Sequence, residues 1–243
     1  MILKGDCFDL ISSISDKSVD LILVDPPYHI SRDSNFNKFS TDANSDMITK
    51  YGSISIDFGD WDKGDLDWNT LFKEYYRVLK EGGTLIVFYD IWKSNIIKEW
   101  ADKYKFKQPR VCQWQKTNPV PINSKNNYLS NANEYFFTFI KGKNPTFNSE
   151  YDNGVYRYPI CHGKERYSHP TQKPLQLIMD LISKHSSKDS VVLDTFAGTG
   201  TTAHACVLLN RDYIVMEKEE KYIDIIQNRI DTISTKNNIN NIK

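Results

Sequence analysis

Short apolar runs rich in Val, Ile, Leu, Phe and Tyr recur along the chain, separated by segments whose apolar positions fall at helical spacing. Seven runs read as strands, near residues 1–6, 19–25, 83–90, 110–116, 134–141, 190–196 and 212–218. Helices are expected around 8–15, 68–80, 92–104, 175–187, 201–209 and 219–233, the last with Tyr222, Ile223, Ile226 and Ile230 at helical intervals. Strands alternating with helices predict βαβ units around a mainly parallel sheet, an α/β fold. Residues 29–60, rich in Ser, Asn, Asp and Lys, and residues 142–168, mixing Asn, Tyr, Arg and His, show neither period and read as long surface loops. The tail 236–243 reads as frayed.

Composition narrows the class. A chain of 243 residues, 40% hydrophobic, is long enough to bury the core of one domain spanning 1–243. Lys plus Arg and Asp plus Glu balance at 31 each, so any polyanion partner must be met by a local basic face rather than by global charge. Cys7, Cys112, Cys161 and Cys206 are scattered without metal-type spacing, which predicts reduced thiols, no metal site and a cytoplasmic setting. No apolar run reaches the roughly 18–20 residues of a membrane span, and no secretory leader is evident.

Two stretches carry candidate chemistry. VVLDTFAGTGTT (191–202) ends a strand at Asp194, turns through Gly198 and Gly200, and starts a helix at Thr201 and Thr202. Glycines permit close backbone approach by a ligand, and a helix start supplies free N–H donors. The following strand ends at Glu217, where an acid can accept from two ribose hydroxyls. These features describe a nucleoside site, although a ligand-free turn would look the same. The third glycine of G-x-G-x-x-G is missing, and Asp194 would repel a pyrophosphate but attract an ammonium group. The other stretch, LILVDPPYHI (21–30), ends a buried strand in Asp25, Pro26, Pro27 and Tyr28. Taken alone it is also compatible with a strand-to-turn exit and a packed tyrosine.

DPPY (25–28), HPTQKP (169–174) and DTFAGTGTT (194–202), in that order, resemble the catalytic, methionine-side and cofactor motifs of the β-class bacterial DNA amino-methyltransferases of restriction-modification systems. The resemblance covers nearly all of 1–233 and extends to IDFGDWDK (56–63) and WQKTNPVP (114–121). It implies a doubly wound, mostly parallel seven-stranded sheet of the S-adenosylmethionine-dependent, Rossmann-like type, with circularly permuted motif order. The implied catalytic residues are Asp25, Pro26, Pro27 and Tyr28. The implied cofactor set is Asp6, Cys7, Asp25, Thr171, Lys173, Asp194, Thr195, Phe196, Ala197, Gly198, Gly200, Thr201, Thr202, Glu217 and Lys218, with Lys173 and Thr171 reaching the methionine end. Trp61, Lys116 and Asn118 are implied DNA contacts, although Asp6 is equally placed to cap a helix and Lys116 and Asn118 to form a solvated turn. Residues 29–60 become a mobile loop and 142–168 a short target-recognition insertion. The implied partner is double-stranded DNA, with a homodimer and a cognate restriction endonuclease as further partners. Two positions depart from the pattern: Thr195 stands where proline is usual, and His29 where asparagine commonly follows DPPY.

The implied reaction explains the residue types. The lone pair of an exocyclic amine is delocalised into the base, so the amine is a poor nucleophile and a good donor. Asp25 and the Pro26 carbonyl can each accept one of its hydrogens, aiming the lone pair at a sulfonium methyl. Tyr28 can stack on a flipped base, contributing roughly 1–3 kcal/mol. His169 reads as a structural hydrogen-bonding residue rather than a base. No Pro-Cys pair exists to form the thiolate adduct that ring-carbon methylation needs. The reading is adenine-N6 methylation, with cytosine-N4 methylation as its nearest rival. A non-catalytic DNA-recognition subunit and a nucleotide-dependent oxidoreductase are more distant ones.

Overall fold

The structure, a computed structural model, describes residues 1–27, 66–119, 131–167, 169 and 171–240, without the side chains of Lys164 and of 234–240. Contact density separates a unit of Met1–Pro26 with Asp67–Lys243 from a second, Pro27–Leu66, of which only Pro27 and Leu66 are described. Among its described residues the first unit holds eight strands: β1 Ile2–Lys4, β2 Val19–Val24, β3 Leu79–Phe88, β4 Lys107–Lys116, β5 Asn133–Ile140, β6 Val155–Tyr158, β7 Val191–Asp194 and β8 Asp212–Glu217. The helices are α1 Cys7–Leu10, α2 Trp68–Val78, α3 Ser94–Lys103, α4 Leu175–His185, α5 Thr201–Leu209 and α6 Glu220–Asn240.

The strands form one sheet in the order β1-β8-β7-β2-β3-β5-β4-β6. Every pairing is parallel except those of β5, which runs against both β3 and β4. Leu21, Ile22, Leu23 and Val24 are all buried, so both faces of the central strand are covered, as a parallel sheet requires. At the amino end of these strands, the Asp20 carboxylate takes the Val191 N–H at 2.8 Å and the Lys80 ammonium at 2.8 Å, joining β7, β2 and β3. Helix α2 starts because Asp67 accepts the Thr70 N–H at 3.1 Å, and it buries Leu71, Phe72, Tyr75 and Val78 along one stripe.

Two expectations need correction. The sheet has eight strands rather than seven, because Val155–Tyr158 inside the expected 142–168 loop pairs in parallel with the end of β4. Strand β3 begins at Leu79, four residues before the expected start, by passing through Gly82 (φ +78°) with a register shift between Val19 and Leu21.

The chain runs outward from β2 to β3 on one side and from β7 to β8 on the other, so the winding direction reverses between β2 and β7. In open parallel sheets ligands bind at that reversal, beyond the carboxyl ends of the strands. Asp25 lies one residue past β2, and Asp194 is the last residue of β7.

Candidate active site

The turn after β7 is fixed from several sides. The Ala197 N–H donates to the Met216 carbonyl of β8 at 3.0 Å, and the Gly200 N–H closes the turn onto the Ala197 carbonyl at 2.8 Å. Gly198 and Gly200 both have positive φ, +51° and +77°. At Gly200 a Cβ would also stand 2.7 Å from Ile226 Cγ1, so glycine is required there on two counts. Glu217 bridges its own strand end to the turn: its carboxylate accepts the Gly198 N–H at 2.7 Å and the Glu219 N–H at 2.9 Å.

Asp194 is buried. It accepts the Phe196 N–H at 3.0 Å and the Thr202 hydroxyl at 2.6 Å. Burial pushes its carboxyl pKa up to about 7; the two hydrogen bonds offset part of that, while the charges of Asp25 and Glu217 add to it. Burial likewise raises Glu217. Three carboxylates therefore share one electrostatic neighbourhood, and no salt bridge to Asp194 forms among the described residues. Such a site suits a cationic ligand lacking phosphate and repels a pyrophosphate.

Asp25 is held by Lys173. The ammonium of Lys173, only 6% exposed, pairs with Asp25, lies 3.3 Å from Glu134 and sits 5.0 Å above the Phe88 ring. Burial works against its charge, yet Asp25 and Glu134 outweigh it and hold its pKa above the ordinary lysine value. His169 packs against the Tyr222 ring at 5.0 Å and accepts the Thr171 N–H at 3.3 Å. Burial, helped by Lys173 and Lys221, lowers its pKa to about 4, so it is neutral near pH 7.

The structure thus gathers Asp25, Lys173, Asp194 and the turn through Glu217 at one place. Thr195 is buried with its hydroxyl 2.6 Å from the Tyr75 hydroxyl, while Phe196, Ala197, Thr201 and Thr202 belong to the turn and the helix start. Asp6 caps α1 through the Phe8 N–H at 3.0 Å, the alternative its sequence position allowed. Cys7 is buried behind it, while Lys218 and Thr171 are exposed. Lys116 pairs with Glu134 at 2.8 Å, and Asn118 accepts the Ile160 N–H at 2.7 Å, so both have partners within the fold. Tyr28, Trp61 and the 29–60 loop lie outside the described residues. Burial raises Cys7 and Cys161 to about 12 and Cys112 to about 11, and raises Cys206 further, which disfavours a thiolate at all four. Among the described residues no group of side chains could hold a metal, and no helix is long and apolar enough to cross a membrane.

Glu134 and Arg229 were not evident as site residues from sequence. Arg229 of α6 reaches under the turn and donates to the Thr199 carbonyl at 2.7 Å. Its partner Thr199 lies 30 positions away, and those of Glu134, Lys116 and Lys173, sit on other elements, so no local motif announces either.

A glycine turn ringed by carboxylates at the reversal point of a doubly wound sheet defines a nucleoside-binding α/β enzyme of the methyltransferase type. Residues 19–228 match the N6/N4 DNA methylase family, and the chain belongs to it. The Type II methyltransferase M.HinfI of Haemophilus influenzae is 33% identical over 250 residues, covering 94% of this chain and 67% of that protein. The crystal structure of the M1.HpyAVI–SAM complex aligns with a TM-score of 0.70 at 26% identity, over 95% of this chain and 98% of that one. The PvuII cytosine-N4-specific DNA methyltransferase shares the fold, with a TM-score of 0.71 at 16% identity over 94% and 85%. The cofactor is S-adenosylmethionine. The residues fit it: Asp194, buried without a salt bridge among the described residues, can hold its ammonium, Glu217 its ribose, and Gly198 allows backbone approach.

Proposed function

We propose that this DNA methyltransferase modifies the N6 amine of an adenine turned out of duplex DNA, at a specific site, as part of a restriction-modification system. The observation that carries the reading is the Asp25 carboxylate, fixed by Lys173 one residue past β2 and close enough for its charge to reach Asp194 across the strand reversal. An acid at that motif position favours adenine, because the cytosine enzymes of the class more often carry serine there.

In this reading Asp25 accepts one amine hydrogen and the Pro26 carbonyl the other. Both prolines lack an N–H and have a fixed φ, which leaves that carbonyl available. Bound S-adenosylmethionine supplies a methyl group on a positively charged sulfur. Asp194 and the glycine turn would hold that donor, and orientation of the two substrates would contribute most of the rate. Tyr28 offers the stacking face for the flipped base, His169 stays neutral and structural, and the amine proton leaves to water. Trp61 serves as a DNA contact, and Lys116 and Asn118 do so in addition to the partners they keep within the fold; a homodimer and a cognate endonuclease complete the proposed setting.

Duplex DNA incubated with methyl-labelled cofactor and digested to nucleosides should carry label in N6-methyladenine. Label confined to N4-methylcytosine would replace adenine with the second reading, which membership of the N6/N4 family leaves open. Cofactor binding without transfer to any duplex would indicate a recognition subunit.

A further inference from the structure

Four charged side chains of alternating sign run through this part of the molecule: Lys116 at the end of β4, Glu134 near the start of β5, Lys173 before α4, and Asp25 after β2. Glu134 stands between two ammonium groups, 2.8 Å from Lys116 and 3.3 Å from Lys173. We infer that Glu134 is a positioning residue for Asp25, acting through Lys173; the inference rests on Asp25 being the acceptor of the target amine.

The physical argument is one of shared charge. A buried ammonium facing a single carboxylate forms a tight one-to-one pair, and that carboxylate is then a weaker acceptor for anything else. Glu134 supplies Lys173 with a second counter-charge, so Asp25 keeps negative potential for the amine while one of its oxygens stays oriented. Lys116 compensates Glu134 from the far side and prevents two carboxylates from facing one cation unbalanced. Burial would raise the Glu134 pKa, but Lys173 and Lys116 outweigh it and hold the group ionised. A contact needed only to dock β5 against the segment before α4 could be apolar, since buried ion pairs are often replaced by apolar packing without loss of stability. A chain of charges leading to the reacting group is better explained by what it does to that group.

The test uses the full-length protein with Glu134→Gln, Glu134→Asp, Lys173→Met, the double variant Glu134→Gln/Lys173→Met, and Asp25→Ala as reference. Glu134→Gln should lower kcat on the order of 10-fold or more, as small misplacements near the chemistry do, while the DNA KM and the cofactor Kd stay within about twofold. Glu134→Asp should fall between it and the unmutated protein. In the Lys173→Met background, Glu134→Gln should have little further effect on kcat. Unchanged kcat in Glu134→Gln beside an inactive Asp25→Ala overturns the inference alone. So does a matching loss of cofactor affinity, or full additivity with Lys173→Met. Normal turnover of Asp25→Ala overturns both the inference and the reading beneath it. If Glu134→Gln is unfolded at the assay temperature, Glu134→Asp takes its place, and an unmutated kcat there overturns the inference.

Discussion

The Arg229 guanidinium donates to the Thr199 carbonyl at 2.7 Å and lies 3.0 Å from His204 Nδ1, tying α6 to the glycine turn proposed to receive the cofactor. Its planar group also packs 4.5 Å from the Tyr167 ring, two positions before the HPTQKP segment. One side chain thereby links the glycine turn, the start of α5 and the segment leading to Lys173. Arg229→Met should cost about 1–3 kcal/mol, because it leaves a buried carbonyl without its donor. Urea unfolding and calorimetric titration with cofactor should show lower stability and weaker binding together; unchanged binding would mean the turn holds its shape without the clamp.

The two glycines of the turn should respond differently to alanine. At Gly198 a Cβ meets His169 only at 3.6 Å, so Gly198→Ala carries the left-handed backbone cost, about 1–2 kcal/mol. At Gly200 the same cost is joined by contacts of 2.7 and 3.0 Å to Ile226, so Gly200→Ala should be the more destabilising by a further 1 kcal/mol or about that. Denaturation midpoints in the reverse order would contradict the packing described.

Asp25→Ala should abolish methyl transfer and leave cofactor affinity within a few-fold. Lys173 keeps Glu134 as a counter-charge in that variant, so the protein should still fold. Rapid-quench transfer assays beside calorimetry would separate the two effects, and normal turnover would remove Asp25 from the chemistry.

Asp194 gives stability a definite pH dependence. Unfolded, its carboxyl ionises near 3.8; folded, burial raises it to about 7. Across that window the native state keeps a proton that the unfolded chain has lost, so this group's contribution falls as pH rises and is level above about 7. His169 and His185 act in the opposite sense. Burial lowers both to about 4 from 6.5, so their contribution is complete above pH 6.5 and is lost as pH falls. Comparing the protein with Asp194→Asn cancels the histidines: the stability of Asp194→Asn relative to the parent should rise between pH 4 and 7. Parallel pH curves would show that Asp194 is not shifted.

The helices and most strands were legible because their signals are local. Thr201–Leu209 matches its expected range, and the Asp67 cap with its apolar stripe marks α2. Strand β6 was hidden because Val155–Tyr158 is four residues long at the sheet edge, with no alternation to read. The start of β3 was hidden because Gly82 and Gly83 look like a break, yet the strand absorbs them as an irregularity. Asp25, Asp194 and the glycine turn were legible as motifs. What they bind within the fold was not: the Lys173–Asp25 pair spans 148 positions, and Glu134, which pairs with both Lys173 and Lys116, stands on a different strand from Lys116. Sequence spacing encodes residues that share an element, whereas charge partners are chosen by which elements the sheet order brings together.

The seam between β2 and β7 also sets the order in which this protein can mature. The strands pair as Leu21 with Val192 and Ile22 with Leu193, and β1 finds its neighbour only in β8, with Ile2 beside Val215. A nascent chain that has emerged as far as α4 owns Asp25 and Lys173 and can pair β2 with β3, but it has nothing to lay against β1 or against the other edge of β2. Such long-range closures are slow to form and expose apolar edges while they wait. Competence to bind the donor therefore waits for β7 and β8 to emerge, and a translation product halted before Val191 should be both inert and prone to clump.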